Sequence, residues 1–481
     1  MNELERVSEL FRKFSGEKPA SVSPLPLSGS DRHYFRIENH KSKSFIAATN
    51  PDKKENEAFL SFTRHFRNKG FPVPELYFDD KDNACYLLED LGDLTLFSFS
   101  QKVRTSQIFP RTLINVYKTI LEILPKFQIE GYEGLDFSVC YPRDSFDKQS
   151  MMWDMSYFKY YFLKLAHIPF DEQLLEDDFN RLSGFLLQVD CDYFLYRDFQ
   201  SRNIMLRGDS LEPWFIDYQG GRKGALQYDL ASLLWDGKAD IPYDIRTYLL
   251  DYYLEQLEKY FPVNRESFIE YYYGYVLIRI MQAMGSYGYR GFYERKRHFL
   301  QSIPYALKNV EWILKNVPFS INIPTLLHVL QDMISSKTLK KFSRNHEKSD
   351  LTVVVNSFSF HKGMPDDPGG HGGGFVFDCR GIHNPGRYDE YKTLTGKDEP
   401  VIRFLKKESD MEEFLMNVYQ IVDQTVEAYI ERHFKNLQVN FGCTGGQHRS
   451  VYCAESLARH LLDKYDLNVI LNHKDQASWN Q

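Results

Sequence analysis

Long hydrophobic runs are missing from this chain of 481 residues. None reaches the roughly 20 apolar residues that a bilayer-spanning helix needs. The amino-terminal MNELERVSELFRKF is amphipathic and charged, without the apolar centre of a secretion signal. These absences predict a cytoplasmic protein with no membrane partner. Cysteine is scarce as well. Cys85, Cys140, Cys191, Cys379, Cys443 and Cys453 form no CxxC pair and show no repeated spacing, which excludes a disulfide framework and a zinc ribbon. Positive charge is not in excess either: a net charge of −7 and a pI near 6.1 argue against nonspecific binding to nucleic acid, leaving room only for a local basic patch.

What is present points to folded domains. Apolar residues make up 43% of the chain, and its length exceeds what one hydrophobic core serves, so two or three domains are expected. The 32 Tyr and 37 Phe supply abundant surface for cores and for ligand stacking.

The most informative stretch is YFLYRDFQSRNIMLRGDSLEPWFIDYQ, from Tyr193 to Gln219. Two apolar runs, Tyr193 to Tyr196 and Trp214 to Ile216, are each followed by a carboxylate, Asp198 and Asp217, where a buried strand releases the chain into a turn. Asn203 follows Asp198 at the spacing of a kinase catalytic loop, in which the Asp accepts a hydroxyl proton and the Asn holds magnesium. Asp217 falls where a second metal-binding Asp belongs. Magnesium takes hard oxygen ligands and keeps waters and substrate phosphates as partners, so one carboxylate and one amide oxygen suffice. Ordinary turn chemistry also favours Asp and Asn, but the order Asp, Asn, strand, Asp is hard to reach by turns alone.

YRDFQSRNIM followed by FIDYQGGRKGALQYDLASLL resembles the aminoglycoside-phosphotransferase-like kinases, and among them the anomeric kinases for N-acetylmuramate and N-acetylglucosamine. The resemblance implies Asp198 as catalytic base, Asn203 and Asp217 as magnesium ligands, ATP as donor and an amino sugar as acceptor. It also implies a bilobal α+β, protein-kinase-like fold. Tyr196 stands where many relatives have His, at a scaffold position.

Upstream, PLPLSGSDRHYFRIENHKSKSFIAA reads as strands joined by polar turns, with Ser28, Gly29 and Ser30 placed to cover the phosphates of ATP. The strand Ser44 to Ala48 carries no Lys where the kinase pattern has one; Arg32 or Arg36 supplies the phosphate-binding cation instead, or both are surface residues of an edge strand. A helix is expected from Pro51 to Lys69, with Phe59, Phe62 and Phe66 on one face. Glu57 on it either orients that cation or favours the helix dipole. Leu87 to Leu91 form the hinge between lobes, with Glu89 and Leu91 closest to adenine. By the same resemblance Asp154, Gln219, Arg279 and Gln282 face the acceptor, with Tyr289 and Arg290 as neighbours. Asp229 is a brace or cap for the catalytic loop. Charge replaces apolar periodicity in SSKTLKKFSRNHEKSD, which reads as a linker with the domain boundary near Asn345.

Beyond it, LQVNFGCTGGQHRSVYCAESLARHLLDKY reads as a strand, a glycine-bearing loop and a helix, an arrangement that gathers backbone N–H groups and a positive dipole end around an anion. The loop lacks the Gly-Lys-Ser/Thr ending of a Walker motif. It does satisfy Cys-x5-Arg-Ser, the loop in which phosphatases of the tyrosine type use a Cys nucleophile, although no Asp is evidently paired as general acid. SFSFHKGMP, FVFDCRGIHNP, TLTGKDEPV and GCTGGQHRSV together resemble, in order, the carboxy-terminal domain of the RapZ family of RNase adaptors. That resemblance implies a smaller α/β domain holding an amino-sugar phosphate or other anion, with Asp378, Arg380, Asn384, Cys443, Thr444, Gly445, Gly446, His448 and Arg449 around it. His361 stands where a Lys is usual, and the chain ends HKDQASWNQ without a basic tail, which weakens the implied RNA binding. The insert DDPGGHGGGF, with His371 among glycines, reads as a mobile loop rather than a metal site.

The sequence therefore predicts a kinase amino lobe over residues 1–90, a carboxy lobe over 91–335, a linker over 336–350 and a RapZ-type domain over 351–481. The expected activity is transfer of phosphate from ATP with magnesium to an N-acetyl amino sugar, at its anomeric hydroxyl. An aminoglycoside or choline-type kinase is the competing enzyme. A metabolite sensor or RNA-binding regulator with an inert kinase lobe is the competing class, and a homo-oligomer is compatible with any of them.

Overall fold

The computed structural model describes residues 3–26, 32–80, 84–104, 109–343, 350–367, 370, 374–465 and 467–479. Ser28, Gly29, Ser30 and His371 lie outside the described residues. The chain divides into two compact units, Met1–Ser343 and Arg344–Gln481.

The first unit begins with a five-stranded antiparallel sheet built from β1 (Ser21–Pro24), β2 (His33–Glu38), β3 (Ser44–Thr49), β4 (Leu76–Asp80) and β5 (Cys85–Glu89) in the order β1-β2-β3-β5-β4. Period-two alternation gives this sheet two buried faces. Phe35, Ile37, Phe45, Ala47 and Leu87 pack with Val7, Leu10 and Phe11 of the amino-terminal helix Glu3–Ser15. Ala48, Tyr86 and Leu88 face the other way, into the core shared with Phe59, Phe62 and Phe66 of the helix Lys53–Asn68. Asp52 caps that helix, its side chain accepting from the N–H groups of Lys54 and Glu55.

The remainder of the unit is mostly helical, interrupted by two small antiparallel two-stranded sheets. β6 (Tyr193–Leu195) pairs with β9 (Arg222–Gly224), and β7 (Ile204–Arg207) pairs with β8 (Glu212–Phe215). Helix Leu226–Leu234 packs on β6 and on the long helix Arg265–Tyr287, which also packs on Lys148–Tyr157. The segment expected to start the linker folds instead: Lys337–Lys340 is helical and Leu339 is wholly buried, so this unit continues to Ser343. Leu339 and Phe342, the latter 5.9 Å from the Phe292 ring, pack onto the core from a segment whose composition reads as linker.

The second unit is a parallel four-stranded sheet of β10 (Thr352–Ser359), β11 (Phe375–Asp378), β12 (Asn436–Cys443) and β13 (Asn468–His473), in the order β11-β12-β10-β13. Helix Arg449–Lys464 joins β12 to β13. Because all four strands run the same way, Ser359, Asp378, Cys443 and His473 end at one edge of the sheet, where ligands of parallel α/β folds bind. Among the described residues no helix is long and apolar enough to cross a membrane.

Candidate active site

The loop from Tyr196 to Asn203 leaves β6 and enters β7, and its backbone is held from several directions. Asp229, fully buried on the helix Leu226–Leu234, accepts from the N–H of Tyr196 at 2.7 Å and of Arg197 at 3.0 Å. Burial pushes its carboxyl up to about 7, against the pull of those two bonds. Asp229 is thus the brace expected of it. Tyr196, the residue in place of His, donates its hydroxyl to the carbonyl of Ile216 at 2.6 Å and so ties this loop to the residue before Asp217. Asp236 holds the far side, accepting from Ser201 Oγ at 2.5 Å.

Asp198, Asn203 and Asp217 come together. Asn203 Nδ2 donates to Asp217 Oδ2 at 2.9 Å and to the Asp198 carbonyl at 3.0 Å, so one amide joins the base loop to the second carboxylate. The Asp198 side chain is 36% exposed and its nearest ion-pair partner, Arg279 Nη2, stands 3.9 Å away, which leaves the carboxylate open to a ligand. Asp217 adopts a φ of +70°, a left-handed backbone that Asp tolerates better than most residues. Burial and the charge of Asp198 push its carboxyl up, while the Gln219 amide, donating to Oδ1 at 2.8 Å, and Arg32 pull it down. Gly220 crosses directly over the loop: a Cβ there would meet Arg197 Cγ at 3.4 Å and Asp198 Oδ2 at 3.7 Å.

Tyr218 anchors Asp217 to the helix Lys53–Asn68. Its ring stacks on Phe59 at 5.2 Å with 5° between planes, and its hydroxyl meets Thr63 Oγ1 at 2.6 Å. Tyr218→Phe removes only that bond, and Thr63 keeps its own bond to the Phe59 carbonyl. The expected loss is about 1 kcal/mol of stability, read as a small fall in the thermal midpoint, with turnover changed less than tenfold.

The nucleotide-side residues are distributed differently from the expectation. Arg32 is buried (2% exposed), lies over the Phe59 ring at 5.5 Å, and pairs with Glu55 Oε1 at 3.2 Å. Glu55 also accepts from Asn50 Nδ2 at 2.8 Å. Glu57 is exposed and makes no ion pair among the described residues, so the carboxylate of this helix that meets Arg32 is Glu55. The cap at Asp52 sets this: it fixes the helix register so that residue 55 faces the sheet and residue 57 faces solvent. Arg36 is also corrected. Its guanidinium binds Asp90 (Nε to Oδ2, 2.7 Å) and Asp93 (Nη2 to Oδ1, 2.8 Å), beside a cleft of about 490 Å³ that Leu91, Leu206 and Arg207 help to line. Two carboxylates already neutralise it. Glu89 is occupied too, its N–H donating to the Glu75 carbonyl at 2.9 Å and its carboxylate accepting from Arg207 Nη1 at 2.8 Å. Leu91 differs: among the described residues its backbone N–H and carbonyl have no hydrogen-bond partner.

Around the open side of Asp198, Arg279 donates to Ser232 Oγ at 2.8 Å and contacts the Gln282 side-chain carbonyl. Gln219 has its Oε1 buried without a partner. Asp154 does not face this space freely. Both of its oxygens are taken by Arg197, at 2.7 and 2.8 Å, and Arg197 also donates to the Tyr228 hydroxyl at 2.6 Å while holding a φ of +81°. Asp154 therefore fixes the residue beside Asp198 rather than standing free for an acceptor. Arg197 and Glu55 were missed in the sequence, although Arg197 lies inside the YRDF motif itself.

In the second unit the loop Cys443–His448 opens the helix Arg449–Lys464. Cys443 Sγ accepts from the Gly446 N–H at 3.2 Å and lies 3.1 Å from Ser450 Oγ. Asp378 and Arg380 pair with each other at 2.7 Å, and Asn384 accepts from the Gly386 N–H, capping a turn. The His448 ring is tied to the protein: burial lowers its pKa, and Nε2 bonds the Tyr391 carbonyl at 2.8 Å. A Ser-His-Glu relay also exists, with Ser357 Oγ 2.7 Å from His473 Nδ1 and His473 Nε2 3.1 Å from Glu455 Oε1. Ser357 lies inside β10, paired with β12 on one side and β13 on the other, two residues short of the strand end where the Cys443 loop begins.

Comparisons with known proteins agree with both units. A family model described as phosphotransferase enzyme family matches residues 21–263, and one described as RapZ C-terminal domain matches residues 351–477. A nucleotide-binding protein of Fervidobacterium nodosum is 42% identical over 131 residues, covering 27% of this chain and 44% of the relative. One of Aeromonas hydrophila subsp. hydrophila is 38% identical over 151 residues, covering 31% and 48%. The chain thus spans about half the length of the curated relatives it matches. Among solved structures, an ethanolamine kinase of Plasmodium vivax is similar at a TM-score of 0.47 and 14% identity, covering 65% of this chain and 88% of that one. A choline kinase of Streptococcus pneumoniae is similar at a TM-score of 0.42 and 14% identity, covering 64% and 100%.

Proposed function

We propose, from the premise that the chain belongs to the phosphotransferase enzyme family, that its first unit transfers the γ-phosphoryl of ATP to a hydroxyl of an N-acetyl amino sugar. The observation that carries this reading is the convergence of Asp198, Asn203 and Asp217 through one amide. Asp198 positions the acceptor hydroxyl and takes its proton as the bond to phosphorus forms. Arg32, oriented by Glu55, serves as the fixed cation for phosphate oxygens in place of the Lys that β3 lacks. Leu91 offers its free backbone groups to the adenine.

The donor set fits magnesium. Asp217 and Asn203 carry hard oxygen atoms and are held side by side, Asn203 Nδ2 donating to Asp217 Oδ2 at 2.9 Å, and among the described residues no cluster of three or more His, Cys, Asp or Glu forms a self-sufficient metal cage. Two protein ligands, completed by phosphates and water, are what magnesium takes. When bound there, the ion supplies charge neutralisation on the β- and γ-phosphates. The second unit is read as holding an amino-sugar phosphate at the edge where its strands end.

Gln219, with its unpartnered Oε1, and Arg279 with Gln282 supply polar contacts suited to sugar hydroxyl and N-acetyl groups. Phosphorus NMR of products from N-acetylmuramate, N-acetylglucosamine, an aminoglycoside and choline, each with ATP and magnesium, tests the acceptor. An anomeric sugar phosphate is expected. Product from the aminoglycoside or choline alone assigns the acceptor to those classes, and no turnover with any compound leaves a regulator with an inert kinase lobe.

A further inference from the structure

The second unit contains a reactive-cysteine geometry that the kinase reading does not use. Cys443 ends β12 at the base of the loop, with its sulfur facing the Gly446 N–H at 3.2 Å and the Ser450 hydroxyl at 3.1 Å. Cys443 is only 2% exposed, so its sulfur forms the floor of the loop. The loop itself is a concave row of donors. Among the described residues the backbone N–H groups of Gly445, Gln447 and His448 donate to nothing in the protein, and they sit at the amino end of the helix Arg449–Lys464. Gly446 permits the turn: its φ is +69°, and a Cβ there would come within 2.6 Å of Asp475 Oδ2. Thr444 and Gly445 form the exposed mouth.

A second observation comes from Arg449, which is only 4% exposed. One arm, Nη1, is fixed by the carbonyls of Arg380 at 3.0 Å and Ile382 at 2.7 Å. The opposite edge of the guanidinium turns toward the loop: Nη2 reaches Thr444 Oγ1 at a weak 3.4 Å, and Nε is buried without a partner. A planar Nε/Nη2 edge matches two oxygens of a phosphoryl group. An unpaired donor of this kind is costly unless a ligand satisfies it.

We propose that Cys443 is a phosphoryl-accepting nucleophile and that the second unit hydrolyses phosphomonoesters with good leaving groups, aryl phosphates foremost, through a phosphocysteine. The Cys443 thiol gives its proton to solvent. The thiolate attacks phosphorus, a sulfur–phosphorus bond forms, and the bond to the ester oxygen breaks as the phenolate leaves with its electron pair. Water then attacks phosphorus, sulfur takes back the electron pair, and inorganic phosphate departs. Arg449 and the loop N–H groups hold the three non-bridging oxygens throughout. A phenolate departs without help, so the reaction class requires no carboxylic acid; Asp475 is engaged in accepting the Ser359 N–H at 2.6 Å.

The test uses the full chain with para-nitrophenyl phosphate, with ATP omitted and a chelator present so that the first unit contributes nothing. Saturable release of nitrophenol is expected, inhibited by vanadate, and Cys443→Ser should lower it by about 1,000-fold or more. Acid quenching of the wild-type protein, followed by peptide mass analysis, should find one phosphoryl group on the Cys443 peptide, a readout that does not depend on how the variant folds. Absence of release, release unchanged by Cys443→Ser in a variant with a wild-type melting curve, or a phosphoryl group on any other residue overturns the proposal. Binding of inorganic phosphate without turnover also overturns it, while leaving the anion-binding reading of this unit in place.

Discussion

Asp198→Asn is expected to lower kcat by about 10³- to 10⁴-fold while leaving the dissociation constant for ATP within a few-fold of wild type. The substitution keeps the side chain's size and removes only its ability to accept a proton and carry charge. The loop does not depend on that charge for its shape. Its backbone is held by Asp229, by the Tyr196 hydroxyl and by Asp236, and Asn203 bonds the Asp198 carbonyl rather than its carboxylate. Among the described residues the Asp198 side chain makes one ion pair, a long one to Arg279 at 3.9 Å, on a group that is 36% exposed, so its loss contributes little to stability. Loss of rate with an unchanged melting curve and unchanged nucleotide affinity is the expected pattern, measured by coupled ADP release and by calorimetric titration. A variant that turns over at the wild-type rate removes Asp198 from the chemistry.

The order of the catalytic groups was legible because it is local. Asp198, Asn203 and Asp217 lie within one hairpin-bearing stretch, where spacing along the chain translates directly into spacing in the site. The strand–loop–helix around Cys443 was legible for the same reason. Residues whose roles depend on a distant partner were not. Nothing near Arg36 in sequence shows that Asp90 and Asp93, across the sheet, neutralise it. Nothing near Asp154 shows that Arg197 takes both of its oxygens. His448 reads as a donor beside a glycine loop, but the carbonyl of Tyr391, far upstream, decides where its ring points. The boundary expected near Asn345 lies beside the division at Ser343, but composition reported only charge before it and not the packing of Leu339 and Phe342.

The contrast between Glu55 and Glu57 gives the second large effect. Arg32→Met should lower kcat/KM for ATP by about 10²- to 10³-fold, because it removes the buried cation whose charge acts on Asp217 and which we place in the role of the missing strand Lys. Arg32→Lys should recover part of that loss, since it restores the charge but not the planar two-point contact with phosphate. Glu55→Gln should fall between the two, leaving Arg32 in place while weakening the 3.2 Å contact that aims it. Glu57→Gln should change nothing measurable, because that side chain points into solvent from the same helix turn. The ranking separates mechanism from simple helix stability: both glutamates sit near the amino end of the helix Lys53–Asn68 and interact with its dipole in the same sense. If Glu55→Gln and Glu57→Gln reduced kcat/KM equally, the dipole would explain both and the Arg32–Glu55 pair would have no special part. If only Glu55→Gln does so, and magnesium-ATP fails to saturate Arg32→Met at concentrations that saturate the wild type, the buried arginine is performing the task of the absent lysine from the neighbouring strand.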